Sequence, residues 1–310
     1  MQRLRLGTRG SKLALWQADY VAWELRQVVP DIDIEIKIIK TKGDKILDVA
    51  LSKIGDKGLF TREIENELLA GEIDLAVHSM KDLPTFIAPG LVLGGVLKRE
   101  NPQDVLISHK GYSLTSLPRN GSVGTSSLRR IAQLRALRPD IRMVDLRGNV
   151  ETRIKKMEEQ DLDGIILAYA GVKRLGFTGK ISEMIATDIM LPAVGQGAIA
   201  IELREEDNET LKVISPINNL HTKLETMAER ALLRELEGGC QVPIASLAQI
   251  KGNILYIEGL VASMNGQRVI KESLTGDLNK AEEIGRSLAQ SLLNRGADSI
   301  LAEIRELGEK

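Results

Sequence analysis

Between Arg119 and Arg153 the chain carries eight arginines, no lysine and three acids, Asp140, Asp145 and Glu151. Lysine is used freely elsewhere, so guanidinium is the selected cation here. Arginine presents a planar fork that grips carboxylate or phosphate through two bonds and keeps its charge at any working pH. Arg129 and Arg130 fall in the first turns of an expected helix, where the macrodipole disfavours cations by about 0.3–1 kcal/mol each. A ligand anion at that point would explain the placement. Arg9 sits in the matching turn of an earlier strand–helix unit, and Arg147 and Arg153 flank the turn at Gly148-Asn149. Hydroxyls recur at the same places: Gly7-Thr8 is followed by Ser11, and Gly124-Thr125 by Ser126 and Ser127. Helix starts with exposed N–H groups and hydroxyls bind anions. The residues therefore point to a ligand with several negative charges held between two lobes, and do not separate phosphate from carboxylate. Arg135, Arg138 and Arg142 read as a solvated charged flank.

Two more side chains carry chemistry. Asp82, in Val77-His78-Ser79-Met80-Lys81-Asp82-Leu83-Pro84, follows a buried strand, and ligand groups in open α/β sheets gather at the carboxyl ends of strands. It reads equally well as a cleft carboxylate or as a turn aspartate capping backbone ahead of Pro84. Cys240, the one cysteine, lies in Glu237-Gly238-Gly239-Cys240-Gln241, a turn that favours a reactive or modified thiol over a core one. The three histidines, His78, His109 and His221, show no metal-ligand spacing with it, so no metal site is expected. No Ser-His-Asp or Cys-His set can be assigned from order alone.

Short apolar strands alternating with amphipathic helices must position these groups, the pattern of α/β domains with mainly parallel sheets. Strands are expected at 3–7, 34–39, 73–77, 122–124, 141–145 and 164–168, and helices at 11–29, 61–69, 126–137 and 150–159. The polar stretch Thr41–Gly58 is long enough to be a functional lid or a loop. Asn101-Pro102 and Leu191-Pro192-Ala193 bracket the second block as turn or hinge chemistry. A helix at 221–237, strands at 244–250, 254–261 and 267–273, and a final helical pattern suggest a small α+β domain.

Composition narrows the function. The 310 residues hold 42 basic and 43 acidic side chains, a net charge of −1, which argues against a general nucleic-acid binder. Aromatics at 3% leave little for base stacking. No apolar run is long enough to span a bilayer or act as a signal peptide, so a cytoplasmic, reducing location is the expectation.

These motifs together closely resemble the porphobilinogen deaminase family, also called hydroxymethylbilane synthases. The likeness runs through Gly7-Thr8-Arg9-Gly10-Ser11, Gly58-Leu59-Phe60, Ala76–Asp82, Val123–Arg130, Leu146-Arg147-Gly148-Asn149, Asp163–Ala168, Lys173-Arg174-Leu175-Gly176, Pro192–Ala198 and Glu237–Pro243. Lys42 departs from it, standing where arginine is frequent.

The resemblance implies an enzyme that joins four porphobilinogen molecules head to tail, releases four ammonia and yields 1-hydroxymethylbilane. Loss of ammonia from the substrate's aminomethyl group gives a cationic azafulvene that the growing chain attacks. One dipyrromethane cofactor per chain is expected on Cys240 through a thioether, with Asp82 as the catalytic carboxylate. Arg9, Ser11, Ser79, Lys81, Thr125, Ser126, Ser127, Arg129, Arg130, Arg147 and Arg153 would bind cofactor and substrate carboxylates. Arg174 and Gln17 are secondary candidates, and Lys53 and Lys57 would belong to the lid. The implied fold is two lobes like those of periplasmic binding proteins, residues 1–98 with 198–216 and residues 102–192, and a smaller α+β domain at 220–310. A monomer without nucleic-acid or membrane partners is expected. The competing reading is a two-lobed non-enzymatic anion receptor or regulator domain, which leaves Asp82 and Cys240 without a task.

Overall fold

The structure, a computed structural model, describes residues 3–45, 58–237 and 242–308. In chain order it runs β1 Arg3–Thr8, α1 Lys12–Val28, β2 Asp33–Ile38, the single turn α2 Lys42–Lys45, α3 Arg62–Leu69, β3 Leu75–Ser79 and β4 Leu91–Val96. It continues with β5 Asp104–Ile107, β6 Ser122–Gly124, α4 Leu128–Leu137, β7 Arg142–Val144, α5 Val150–Glu159, β8 Gly164–Ala168, α6 Tyr169–Arg174 and β9 Ile181–Met184. Then come β10 Ile199–Arg204, α7 Asn208–Ile214, α8 Leu220–Glu235, β11 Ile244–Lys251, β12 Ile254–Ala262, β13 Val269–Asp277, α9 Ala281–Leu292 and α10 Asp298–Gly308.

Two compact units result. The first takes residues 3–45, 58–100 and 197–224, and the second residues 101–196 with the C-terminal segment from 225. In the first, one sheet has the order β2-β1-β3-β10-β4. Strand residues alternate between its faces. Leu75 and Val77 join Val21 and Leu25 of α1 on one side, while Ala76 packs with Ile64 and Leu68 of α3 on the other. Ser11 starts α1 by accepting the Ala14 N–H at 3.2 Å, and Ala18, Val21, Ala22 and Leu25 form the helix's buried face.

The second unit has a sheet of order β7-β6-β8-β5-β9 and a separate antiparallel sheet β11-β12-β13. The latter meets α4 through an apolar cluster of Ala132, Leu191, Ala245, Leu247, Leu260 and Ala262. Arg135 of α4 also donates to the Met264 carbonyl at 2.8 Å, so it is no solvated flank residue. Arg138 likewise holds Asp140 through two bonds and the Leu114 and Leu117 carbonyls.

The expected mainly parallel sheets are each interrupted by one reversed strand. β10 is antiparallel to β3 and β4, and β5 is antiparallel to β8 and β9. Both reversed strands come from the segments where the chain passes between units, which is why a local strand–helix alternation does not reveal them.

Candidate active site

In the first unit β3 ends at Ser79 and the chain turns through one 3₁₀ turn, Met80–Asp82, pinned by Met80 N–H donating to the Ala198 carbonyl at 3.1 Å. Asp82 is exposed on that turn, and among the described residues no donor reaches its carboxylate. The capping alternative is therefore not realised. Arg9, Ser11, Gln17, Ser79 and Asp82 line one recess. Gln17 is buried and its amide lies against the Ser79 hydroxyl, Nε2 to Oγ at 2.9 Å and Oε1 to Oγ at 3.1 Å. Lys81 is half-buried on the same turn.

Arg9 is oriented by a residue to which the sequence assigned no role. Its guanidinium carbon lies 4.1 Å from the centre of the Phe60 ring, a cation–π contact. Phe60 is itself seated by Gly43, where a Cβ would overlap the ring, and Gly43 N–H donates to the Leu59 carbonyl at 3.0 Å. Gly43→Ala is expected to push the ring from beneath Arg9. With a contact worth about 0.5–1 kcal/mol, affinity for an anionic ligand falls about two- to fivefold, as a direct binding titration would read. Unchanged affinity would remove Phe60 as the support of Arg9.

In the second unit Thr125, Ser126 and Ser127 connect β6 to α4. Thr125 is buried and its N–H donates to the Val144 carbonyl at 2.9 Å, while the Ser126 hydroxyl donates to the Leu146 carbonyl at 2.8 Å. Ser127 precedes α4 without a side-chain cap bond. Arg147 and Arg153 flank a turn in which Gly148 has φ +117°, a conformation that disfavours other residues. Arg153 Nε donates to the Gly148 carbonyl at 2.8 Å, and Arg147 lies 3.4 Å from Asp145. Arg174 ends α6.

Arg129 and Arg130 are not at the surface. Both are about 5% exposed and grip Asp104, Nη1 to Oδ2 and Nη2 to Oδ1, each at 2.8 Å. Arg129 also donates to the Leu191 carbonyl and Arg130 to the Ile166 carbonyl. Gln196 adds a bond to Asp104 Oδ1 and one to the Pro102 carbonyl, tying the two hinge segments together. Burial pushes the Asp104 carboxyl up, but the two guanidiniums outweigh it and hold the group far below the usual carboxylate range. The cations at this helix start thus already have an anion in the protein. Sequence reasoning missed Asp104, and missed His78, which lines the recess beside Ser79. Cys240, Lys53 and Lys57 lie outside the described residues.

The donor set of the recess suits a carboxylate-bearing pyrrole: guanidinium and hydroxyls for carboxylates, and the Asp82 carboxylate for a ring N–H. Among the described residues no cluster suited to a metal ion occurs, and no helix is long and apolar enough to cross a membrane.

Residues 4–212 match the family model described as Porphobilinogen deaminase, dipyromethane cofactor binding domain, and residues 223–294 match Porphobilinogen deaminase, C-terminal domain. A protein named Porphobilinogen deaminase from Syntrophomonas wolfei is 61% identical over 306 residues, covering 99% of this chain and 100% of its own. One of the same name from Carboxydothermus hydrogenoformans is 54% identical over 300 residues, covering 97% and 96%. Among solved structures, the substrate binding domain of a putative molybdenum ABC transporter from Clostridium difficile is similar at TM-score 0.44 and 9% identity, covering 71% of this chain and 93% of that one. A likeness that distant carries no functional argument.

Proposed function

The chain belongs to the porphobilinogen deaminase family, and from that premise we propose that it is a hydroxymethylbilane synthase, a transferase that condenses four porphobilinogen molecules into 1-hydroxymethylbilane with loss of four ammonia. The observation that supports this best is the Asp82 carboxylate, without a donor among the described residues, lining the same recess as Arg9. The dipyrromethane, joined to Cys240 by a thioether, supplies when bound a nucleophilic pyrrole carbon.

The chain's own residues do the rest. Asp82 accepts the pyrrole N–H and stabilises the positive charge that grows on the ring as ammonia departs. Arg9, Ser11, Ser79 and Lys81 hold acetate and propionate groups in the first unit, with Gln17 fixing the Ser79 hydroxyl. Thr125, Ser126, Ser127, Arg147 and Arg153 serve the same purpose in the second, with Arg174 in support. Arg129 and Arg130 contribute positive potential around their bond to Asp104, and Lys53 and Lys57, outside the described residues, are assigned to the lid by family resemblance. The working division is three domains, 1–98 with 198–216, 102–192 and 220–310. The enzyme acts as a cytoplasmic monomer without a membrane partner, and its nearly balanced charge supports independence from nucleic acid.

Intact-protein mass tests the proposal. The purified protein is expected to weigh more than its sequence by two linked pyrrole units, and Cys240→Ser to abolish the increment. An apoprotein incubated with porphobilinogen should gain the same mass and consume substrate. Neither gain nor consumption would overturn the assignment.

A further inference from the structure

His78 and Glu202 have no part in the roles given so far, yet they form a buried pair in the wall of the recess. His78 follows Ala76 on the α3 face of β3, and Glu202 lies on β10, diagonal to it across an antiparallel pairing in which His78 faces Ala200. His78 Nε2 and Glu202 Oε2 are 3.0 Å apart, with the side chains 4% and 0% exposed. Among the described residues that is the one hydrogen bond of the imidazole, so Nδ1 has no partner while the ring lines the recess with Asp82 and Arg9. Among the described residues Glu202 Oε1 has no partner either.

A buried carboxylate behind an imidazole fixes its tautomer and orientation and stabilises the imidazolium when a proton arrives. With Glu202 ionised, its carboxylate accepts an Nε2–H, and the Nδ1 lone pair is then the group available to the recess. Each condensation of the proposed reaction forms one carbon–carbon bond and breaks one carbon–nitrogen and one carbon–hydrogen bond. A proton therefore has to travel from ring carbon to ammonia in every cycle. An imidazole is the side chain that changes charge between roughly pH 5 and 8.

We propose that His78, held by Glu202, is the proton-transfer residue of this recess: Nδ1 accepts the proton released at carbon as the C–H electron pair returns to the ring, and hands it to ammonia, which leaves as ammonium. Asp82 then has the electrostatic task alone. Glu65 from α3, with Arg62 beside it, acts electrostatically on both members of the pair, and Asp82 from the 3₁₀ turn and Arg9 from the β1–α1 turn line the recess with His78. Burial, with the Glu202 charge in support, pushes the Glu65 carboxyl up. This inference rests on the proposed reaction.

The chain has three histidines, so isotope-labelled histidine gives three resolvable rings in the holoenzyme. His78 is expected to show a protonated Nε2 and a bare Nδ1 in its neutral form, and its ring signals to move when porphobilinogen is added. His78→Gln should lower kcat about 100-fold with KM changed less than about threefold, and remove one limb of the kcat–pH profile. Glu202→Gln should shift that limb rather than remove it, and if it does not fold, the native tautomer and His78→Gln decide without it. An Nδ1–H tautomer, or His78→Gln with kcat within about threefold of native and the same pH profile, would overturn the proposal. A native protein that consumes no porphobilinogen would sink the reaction itself, a separate result.

Discussion

Asp82→Ala is expected to lower turnover by about 10²–10⁴-fold while the protein keeps its stability and its cofactor mass. The first half follows from position: an exposed carboxylate at the end of β3, in the recess with Arg9 and Ser79, where the proposed reaction would develop positive charge on a pyrrole nitrogen. The second half follows from what Asp82 does not do. It caps no backbone and pairs with no described cation, so its removal leaves nothing buried unsatisfied. Asp82→Asn keeps the shape and loses the charge, and should fall nearly as far. The measurement is single-turnover rate against thermal midpoint. Turnover near native in both variants would take Asp82 out of the mechanism, and a large drop in midpoint would make it a structural aspartate.

The largest effect on stability is expected at Asp104. Asp104→Ala leaves two buried guanidiniums without their carboxylate, and breaking a buried pair in this way costs about 3–5 kcal/mol. By comparison, removing an exposed pair such as Lys212–Glu209 should cost well under about 1 kcal/mol. The pH dependence has a definite sign. The folded-state pKa of Asp104 lies below its unfolded value of about 3.9, so its contribution is complete above that value and is lost as pH falls toward the folded one. Denaturant midpoints of native and Asp104→Ala protein should therefore stay far apart at neutral pH and draw together in strong acid. Equal midpoints at neutral pH would show that the cluster does not hold the hinge segments.

What the sequence made legible follows physical range. Helix α5 and strand β8 fall at Val150–Glu159 and Gly164–Ala168, where periodicity alone places them, because cap, apolar spacing and turn all sit within a few residues. Strands β4, β5, β9 and β10 did not announce themselves. β4 contains Gly94-Gly95, which weakens any strand pattern, and β10 gains its place only from partners far earlier in the chain. The arginines show the same limit. A cation at a helix start does call for an anion, but nothing local names Asp104, 26 positions before Arg130. The recess was legible in part: Arg9, Ser11, Ser79 and Asp82 stand at strand ends, where ligand groups gather, whereas Phe60 and His78 matter only through what the fold presses against them.

The placement of β10 between β3 and β4 has a consequence for biosynthesis. A ribosome delivers β1 to β4 on the order of ten seconds before β10 emerges, at common rates of synthesis. Throughout that interval the facing edges of β3 and β4 lack the strand that will bond to both, and the nascent chain holds two open templates for wrong pairing. This half-made sheet is where a chaperone has most to protect, and where a stalled or truncated message leaves its most aggregation-prone product.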